Sequence, residues 1–221
     1  MDTTFDYGVT MAQSGGRIVL RLADADILPF EFSNFAETVG KYVKDVVKLT
    51  DDMRTQTDEE NQKIEARYDF LAADPRDPFV EPKKKDRVPF INFAPLQNAV
   101  SVLSASTKNY TKALNDLGDA SITGAGKQIS GLNDVLTKAE RSLTRKEGLP
   151  GRPWYVHEIY APGMYTGYGV KTLPAIRESI ELRQWRHVEE EVGVVADVLL
   201  AYAHTIDRAT AIIAAISPPG H

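Results

Sequence analysis

The chain has 221 residues, 43% hydrophobic and 26% charged, with a formal net charge of −5 and no cysteine. That length and apolar content can bury a sizeable core unaided. The acidic balance argues against nucleic acid as a partner, and the missing cysteine excludes disulfides, thiolate metal sites and a cysteine nucleophile. With no run of roughly 18 apolar residues and no signal peptide at Met1-Asp2-Thr3-Thr4, the chain as given reads as soluble.

Residues 9–25 place Val9, Ile18, Val19, Leu22 and Ala25 at helical intervals, weakened by Gly15-Gly16 and ended by Pro29. Ser33 or Asn34 then offers an N-cap, with Glu37 completing a capping box. From there Phe35, Val39, Tyr42, Val43, Val46 and Leu49 keep helical spacing. Residues 51–88 lose that rhythm, carry Pro75, Pro78, Pro82 and Lys83-Lys84-Lys85, and read as a helix end followed by a charged loop insertion. The lysine run suits a solvated loop better than a localisation signal or acidic-partner patch.

Helix resumes near Asn92 with Pro95 in its first turn, and Leu96, Val100, Leu103, Thr107, Tyr110 and Leu114 share one face. After a loop at 118–126, Ile129, Leu132, Leu136, Ala139 and Leu143 alternate three and four apart. Leu173, Ile176, Ile180 and Leu182 mark a short helix with Pro174 near its start. Val188, Val192, Val195, Leu199, Tyr202, Ile206, Ala209, Ile213 and Ile216 then repeat as a strict heptad seam, stopped by Pro218-Pro219. No segment shows strand alternation. The expected fold is all-α, a four-helix-bundle-like domain interrupted by one long irregular loop.

That loop, residues 148–169, holds five glycines, three prolines, four tyrosines and a tryptophan, too much punctuation for a helix or regular strand. Trp154, Tyr155 and Tyr160 offer large rings whose polar tips need partners. His157-Glu158-Ile159-Tyr160-Ala161 starts like the zinc-protease HExxH, but Ala161 replaces the second ligand. His187, His204 and His221 are scattered. Gly124-Ala125-Gly126-Lys127 hints at a phosphate loop, but Ser121 stands at its first glycine and Gln128 follows the lysine. No Ser-His-Asp arrangement can be placed. On chemistry alone the chain looks non-catalytic, with no catalytic residue and no metal site.

Read together, several stretches resemble the transferrin receptor-like dimerisation domain found at the C-terminus of glutamate carboxypeptidase II-type zinc metallopeptidases of the M28 family. They are GGRIVLRLADADILPFEF (15–32), LNDVLTKAERSL (132–143), GLPGRPWYVHEIYAPG (148–163) and TGYG with LPAI (166–176). The resemblance implies that 1–29 is a terminal helix and linker from a preceding peptidase domain, and that 30–221 is the helical dimerisation domain. It implies a homodimer, contact with the peptidase domain of the same parent, and a peptide substrate in that parent. Zinc is expected in the parent's peptidase domain and none in this chain. The parents are single-pass membrane proteins with this domain lumenal, vacuolar or extracellular, and Asn109 of Asn109-Tyr110-Thr111 is a candidate glycosylation site.

In the family the aromatic loop forms part of the substrate pocket, where a Lys-Tyr pair holds the substrate's terminal carboxylate. The matching positions are Gly167 and Tyr168. Tyr168 can still donate a hydrogen bond, whereas Gly167 lacks the cation. Trp154, Tyr155, His157 and Tyr160 are structural residues of the loop, His157 orienting rather than catalytic. A second apolar stripe on the last helix, Val194, Val198, Ala201, Ile212 and Ala215, interrupted by Thr205 and Arg208, is the expected dimer interface. Two alternatives remain open on sequence: the same domain from an inactive receptor-like relative that binds a protein ligand, and a free-standing helical adaptor.

Overall fold

The computed structural model describes residues 5–216 except 75, 119–121 and 123. Met1-Asp2-Thr3-Thr4, Pro75, Ser121, Pro218-Pro219 and His221 lie outside the described residues. Helices are α1 (Asp6–Ala23), α2 (Phe32–Glu65), α3 (Tyr68–Ala72), α4 (Ala94–Asp116), α5 (Gly126–Lys138), α6 (Pro174–Glu181) and α7 (Trp185–Ile216). A 3₁₀ helix (Ala139–Leu143) follows α5, and strands β1 (Tyr160–Pro162) and β2 (Val170–Thr172) form one small hairpin.

The nine seam residues from Val188 to Ile216 are all buried. Side chains repeating every 3.5 residues stay on one side of a helix, so α7 presents one continuous apolar edge. Helices α4, α5 and α6 and the 3₁₀ helix pack around it, and α2 lies on α4. An 18-residue window of α7 reaches a mean hydropathy of 1.2, long and apolar enough on composition to cross a bilayer. The seam that contributes to that value is buried within the bundle. Phe32 anchors the end of the bundle, edge-on to Tyr110 at 5.0 Å and to Tyr202 at 6.0 Å.

Helix α2 does not break at residue 51; it runs to Glu65. Its second half is held by pairs one turn apart in place of an apolar stripe: Lys48–Asp52, Arg54–Asp51 and Gln56–Glu60. The expected insertion is therefore helix to 65 and irregular chain afterwards, apart from α3. Lys84 and Lys85 bond Glu65 and Glu60 on α2, both at 2.6 Å. Asn61 brackets the Lys85 backbone, and Arg54 reaches the Val88 and Pro89 carbonyls. The lysine run is thus part of a strap tied along α2.

The start of α2 also differs from the expected cap. Phe32 is already helical, Asn34 donates to Glu31 at 2.7 Å, and Ser33 meets Thr111 across the helix pair. Helix α1 forms straight through Gly15-Gly16, yet none of its residues is buried. Its polar residues Thr10, Gln13, Arg17 and Arg21 share one side, while Val9, Met11, Ile18, Val19, Leu20 and Leu22 spread around the rest and are all exposed. The linker after α1 is fixed by Asn133 of α5, which accepts from Leu28 N at 3.0 Å and donates to Asp26 O at 2.8 Å.

Candidate functional site

Backbone bonds lay the aromatic loop against the end of the 3₁₀ helix and the residue that precedes α6. Arg145 N donates to Val156 O at 2.7 Å, Glu158 N to Leu143 O at 3.0 Å, and Leu173 N to Ile159 O at 2.8 Å. Leu149 N closes an inner turn on Tyr155 O at 2.7 Å. Gly148, at φ 69°, sits where an added Cβ would overlap the Pro153 carbonyl group, so this turn admits only glycine. Tyr160 pairs with Thr172 and Pro162 with Val170, which places residues 163–169 at the tip of the hairpin.

Two arginines hold the base. Arg152 is 5% exposed; its guanidinium donates to the Pro162 carbonyl and to Glu178 Oε2, the latter at 2.7 Å. Glu178 Oε1 accepts from Met164 N at 2.8 Å, so one carboxylate joins α6 to both the inner turn and the hairpin. Leu149, Ala161 and Ala175 form a small apolar cluster beside this pair, with Tyr155 packed on it. Arg145 faces two carboxylates, Glu158 Oε1 at 3.1 Å and Glu191 Oε2 of α7 at 3.1 Å. Glu158 is fully buried and its oxygens accept no hydrogen bond among the described residues. Burial pushes its carboxyl up to about 7, with Arg145 opposing and Glu191 reinforcing the shift.

His157 lies half-buried in the same base. Its Nδ1 accepts from the Ile159 and Tyr160 backbone N–H groups at 3.3 and 3.4 Å. The proton therefore belongs on Nε2, which lies 3.6 Å from Glu140 Oε1 and makes no hydrogen bond among the described residues. Burial lowers its pKa, with Glu140 opposing, so the ring is neutral at pH 7. Tyr160 stacks on it with centroids 4.1 Å apart and donates its hydroxyl to Glu140 at 2.6 Å. That bond, aided by burial, pushes the phenol up to about 12.

The solvent rim is aromatic: Trp154 is 70% exposed, Tyr165 78% and Tyr168 completely. The buried part of the loop is therefore its arginine–glutamate base, and Trp154 belongs to the rim while Tyr155 is half-buried. Gly167 sits at φ 59° in the hairpin tip beside Tyr168. Asn109 is exposed on α4. On α7, Ala201 and Ala215 are exposed, Val194, Val198 and Ile212 half-buried, and Thr205 buried against Ser142. The sequence reading missed Arg145, Arg152, Glu158, Glu178 and Glu191. The available signal was the charge of Arg152 and Glu158, set inside an otherwise apolar and aromatic stretch; Arg145, Glu178 and Glu191 lie among other charged residues.

Among the described residues no group of three or more histidines or carboxylates could hold a metal ion. His187 and His204 are exposed, well apart on α7, and His157 spends Nδ1 on the backbone. The described residues do not fit a zinc centre.

The described residues form a helical bundle that carries a braced loop with an aromatic rim. The chain belongs to the transferrin receptor-like dimerisation domain family, whose sequence model matches residues 91–207, more than half of its length. It is similar to a probable glutamate carboxypeptidase LAMP1 of Arabidopsis thaliana, 29% identical over 88% of this chain and 24% of the relative. It also resembles a probable glutamate carboxypeptidase of Arthroderma benhamiae, 28% identical over 81% of this chain and 20% of the relative. A third relative is aminopeptidase NAALADL1 of Mus musculus, 21% identical over 93% of this chain and 24% of the relative. The chain thus spans a quarter or less of the curated relatives it matches.

Proposed function

We propose that the chain is the homodimerisation module of a glutamate carboxypeptidase-like zinc peptidase and lends its aromatic loop to the substrate pocket of the intact parent. The observation that carries this reading is the division of labour in the loop: buried ion pairs fix its base, while Tyr168 projects fully into solvent with Gly167 beside it. An isolated domain gains nothing from a braced aromatic tip. Helix α1 supports the same reading, because its broad apolar face is wholly exposed and needs cover from another surface. Residues 1–29 then pack into the preceding peptidase domain, and 30–221 form the dimerisation unit. The parent supplies zinc from its own ligands, sits behind a membrane anchor on the lumenal, vacuolar or extracellular side, and presents Asn109 for glycosylation. Gly167 offers no cation, so preference for a terminal glutamate does not carry over to this parent.

The dimer uses the second stripe of α7. Val198 and Ile212 lean on the bundle core, so the sharper probes are the exposed Ala201 and Ala215. Light scattering at several concentrations should give a dimer for the wild type and a monomer for Ala201→Glu/Ala215→Glu. A wild type that is monomeric throughout removes the reading; a variant that stays dimeric moves the interface to another helix.

A further inference from the structure

Rings from four parts of the chain line a recess of about 240 Å³ between the start of α2, the 3₁₀ helix and α7. They are Phe30 of the linker, Phe35 of α2, Tyr160 of β1 and Tyr202 of α7. Phe30 and Tyr160 are each 43% exposed and Phe35 is half-buried, so ring surface stays open to solvent here. Tyr202 is the most deeply set, packed edge-on against Phe35 at 5.3 Å. The charged lining residues are Glu31 and Glu140, with no cation among them. Neither carboxylate pairs with a lysine or arginine among the described residues, and His157, 3.6 Å from Glu140, is neutral. The Glu140 charge acts across the recess: after burial, it is the next cause that pushes the Tyr202 phenol up.

Aromatic surface beside unneutralised carboxylates attracts a cation, and the geometry narrows which. A metal ion or a primary ammonium must exchange a tight water shell for several oxygen ligands, and two carboxylates among rings are too few. A guanidinium binds best to both oxygens of one carboxylate. Here one oxygen of each is already engaged, Glu31 Oε2 by Asn34 at 2.7 Å and Glu140 Oε1 by Tyr160 at 2.6 Å. A quaternary ammonium has no N–H group to satisfy, and rings attract it directly. The volume also falls below the roughly 300–1,000 Å³ of a pocket for a drug-sized ligand, which suits a compact headgroup.

We propose that this recess binds a small, free quaternary ammonium compound, whose trimethylammonium group sits against the rings of Phe35, Tyr160 and Tyr202 beside Glu140. All of its lining residues belong to one copy of the chain, so the site does not rest on the dimer reading.

The test titrates choline into the isotope-labelled full chain at fixed ionic strength and follows the backbone amide signals by NMR. Choline should bind with a Kd on the order of 1 mM and shift the signals of Phe30, Phe35, Glu140, Tyr160 and Tyr202. Absence of such shifts at about ten times that concentration overturns the site. The uncharged molecule of the same shape, 3,3-dimethyl-1-butanol, should bind about tenfold more weakly; equal binding reduces the recess to an apolar cleft and overturns the proposal. Methylguanidinium that binds more tightly than choline overturns the choice of cation. Phosphocholine brings a phosphate towards the two carboxylates and should bind more weakly than choline; equal or tighter binding points to a lipid headgroup and overturns the free ligand. Glu140→Gln keeps an acceptor for Tyr160 while removing the charge, and Phe35→Leu removes a ring while keeping apolar volume. Each should weaken choline about tenfold, and a folded variant of either kind with unaltered affinity refutes the assigned contacts.

Discussion

Glu158→Gln isolates one buried charge with a predictable pH signature. In the unfolded chain this carboxyl titrates near 4.5; in the fold, burial raises it to about 7. Between those values the native state holds a proton that the unfolded state has released, so stability falls as pH rises and levels off above the folded value. The slope is about 1.4 kcal/mol per pH unit, roughly 3 kcal/mol over the window. Glutamine removes the titration and preserves the shape. Arg145 keeps Glu191 and the Gly148 carbonyl, so the substitution does not strand a cation. Urea unfolding at pH 5, 6, 7 and 8 should therefore show the variant gaining on the wild type with each step, most of the gain arriving by pH 7. A wild type-to-variant difference that is flat across this range would refute the assignment of a buried, proton-holding carboxyl.

Arg152→Met leaves Glu178 buried without its cation and should cost about 3–5 kcal/mol in urea unfolding, with much of the loss recovered by Arg152→Met/Glu178→Leu; a cost below about 1 kcal/mol would mean the pair is not holding the loop. Gly148→Ala combines a left-handed backbone, costing roughly 1–2 kcal/mol, with overlap on Pro153, and should lower the calorimetric Tm by several degrees. In the full-length parent, Tyr168→Phe should leave Tm unchanged and raise KM by the equivalent of one hydrogen bond, about 1 kcal/mol; unchanged kinetics across several peptides would assign the tip no pocket role.

The bundle was legible in the sequence wherever one face carried all the apolar residues. The seam of α7 is the clearest instance, since its nine positions answer to a single period and all are buried. The second half of α2 was not legible, because its helix is held by Lys48–Asp52, Arg54–Asp51 and Gln56–Glu60 and shows no apolar rhythm. The short hairpin escaped for a different reason: three residues per strand are too few to alternate visibly. The loop was recognised as rigid and aromatic from its glycines, prolines and rings. Its base was not, because Arg152 meets Glu178 across 26 residues and Arg145 meets Glu191 across 46. Pairing at that separation is decided by the fold, and no local pattern announces it.

The bracing of the loop has a consequence for association entropy. A flexible segment that settles on a partner loses backbone freedom worth roughly 1–2 kcal/mol per residue, which subtracts from whatever its contacts provide. Here the backbone bonds at Arg145, Leu149, Glu158 and Leu173, with the buried Arg152 and half-buried Arg145, have already removed that freedom during folding. What remains to be ordered at Trp154, Tyr165 and Tyr168 is rotation about two side-chain bonds each. A surface that docks on this rim meets rings whose ordering cost was met when the chain folded, so even a small contact area there can yield net affinity.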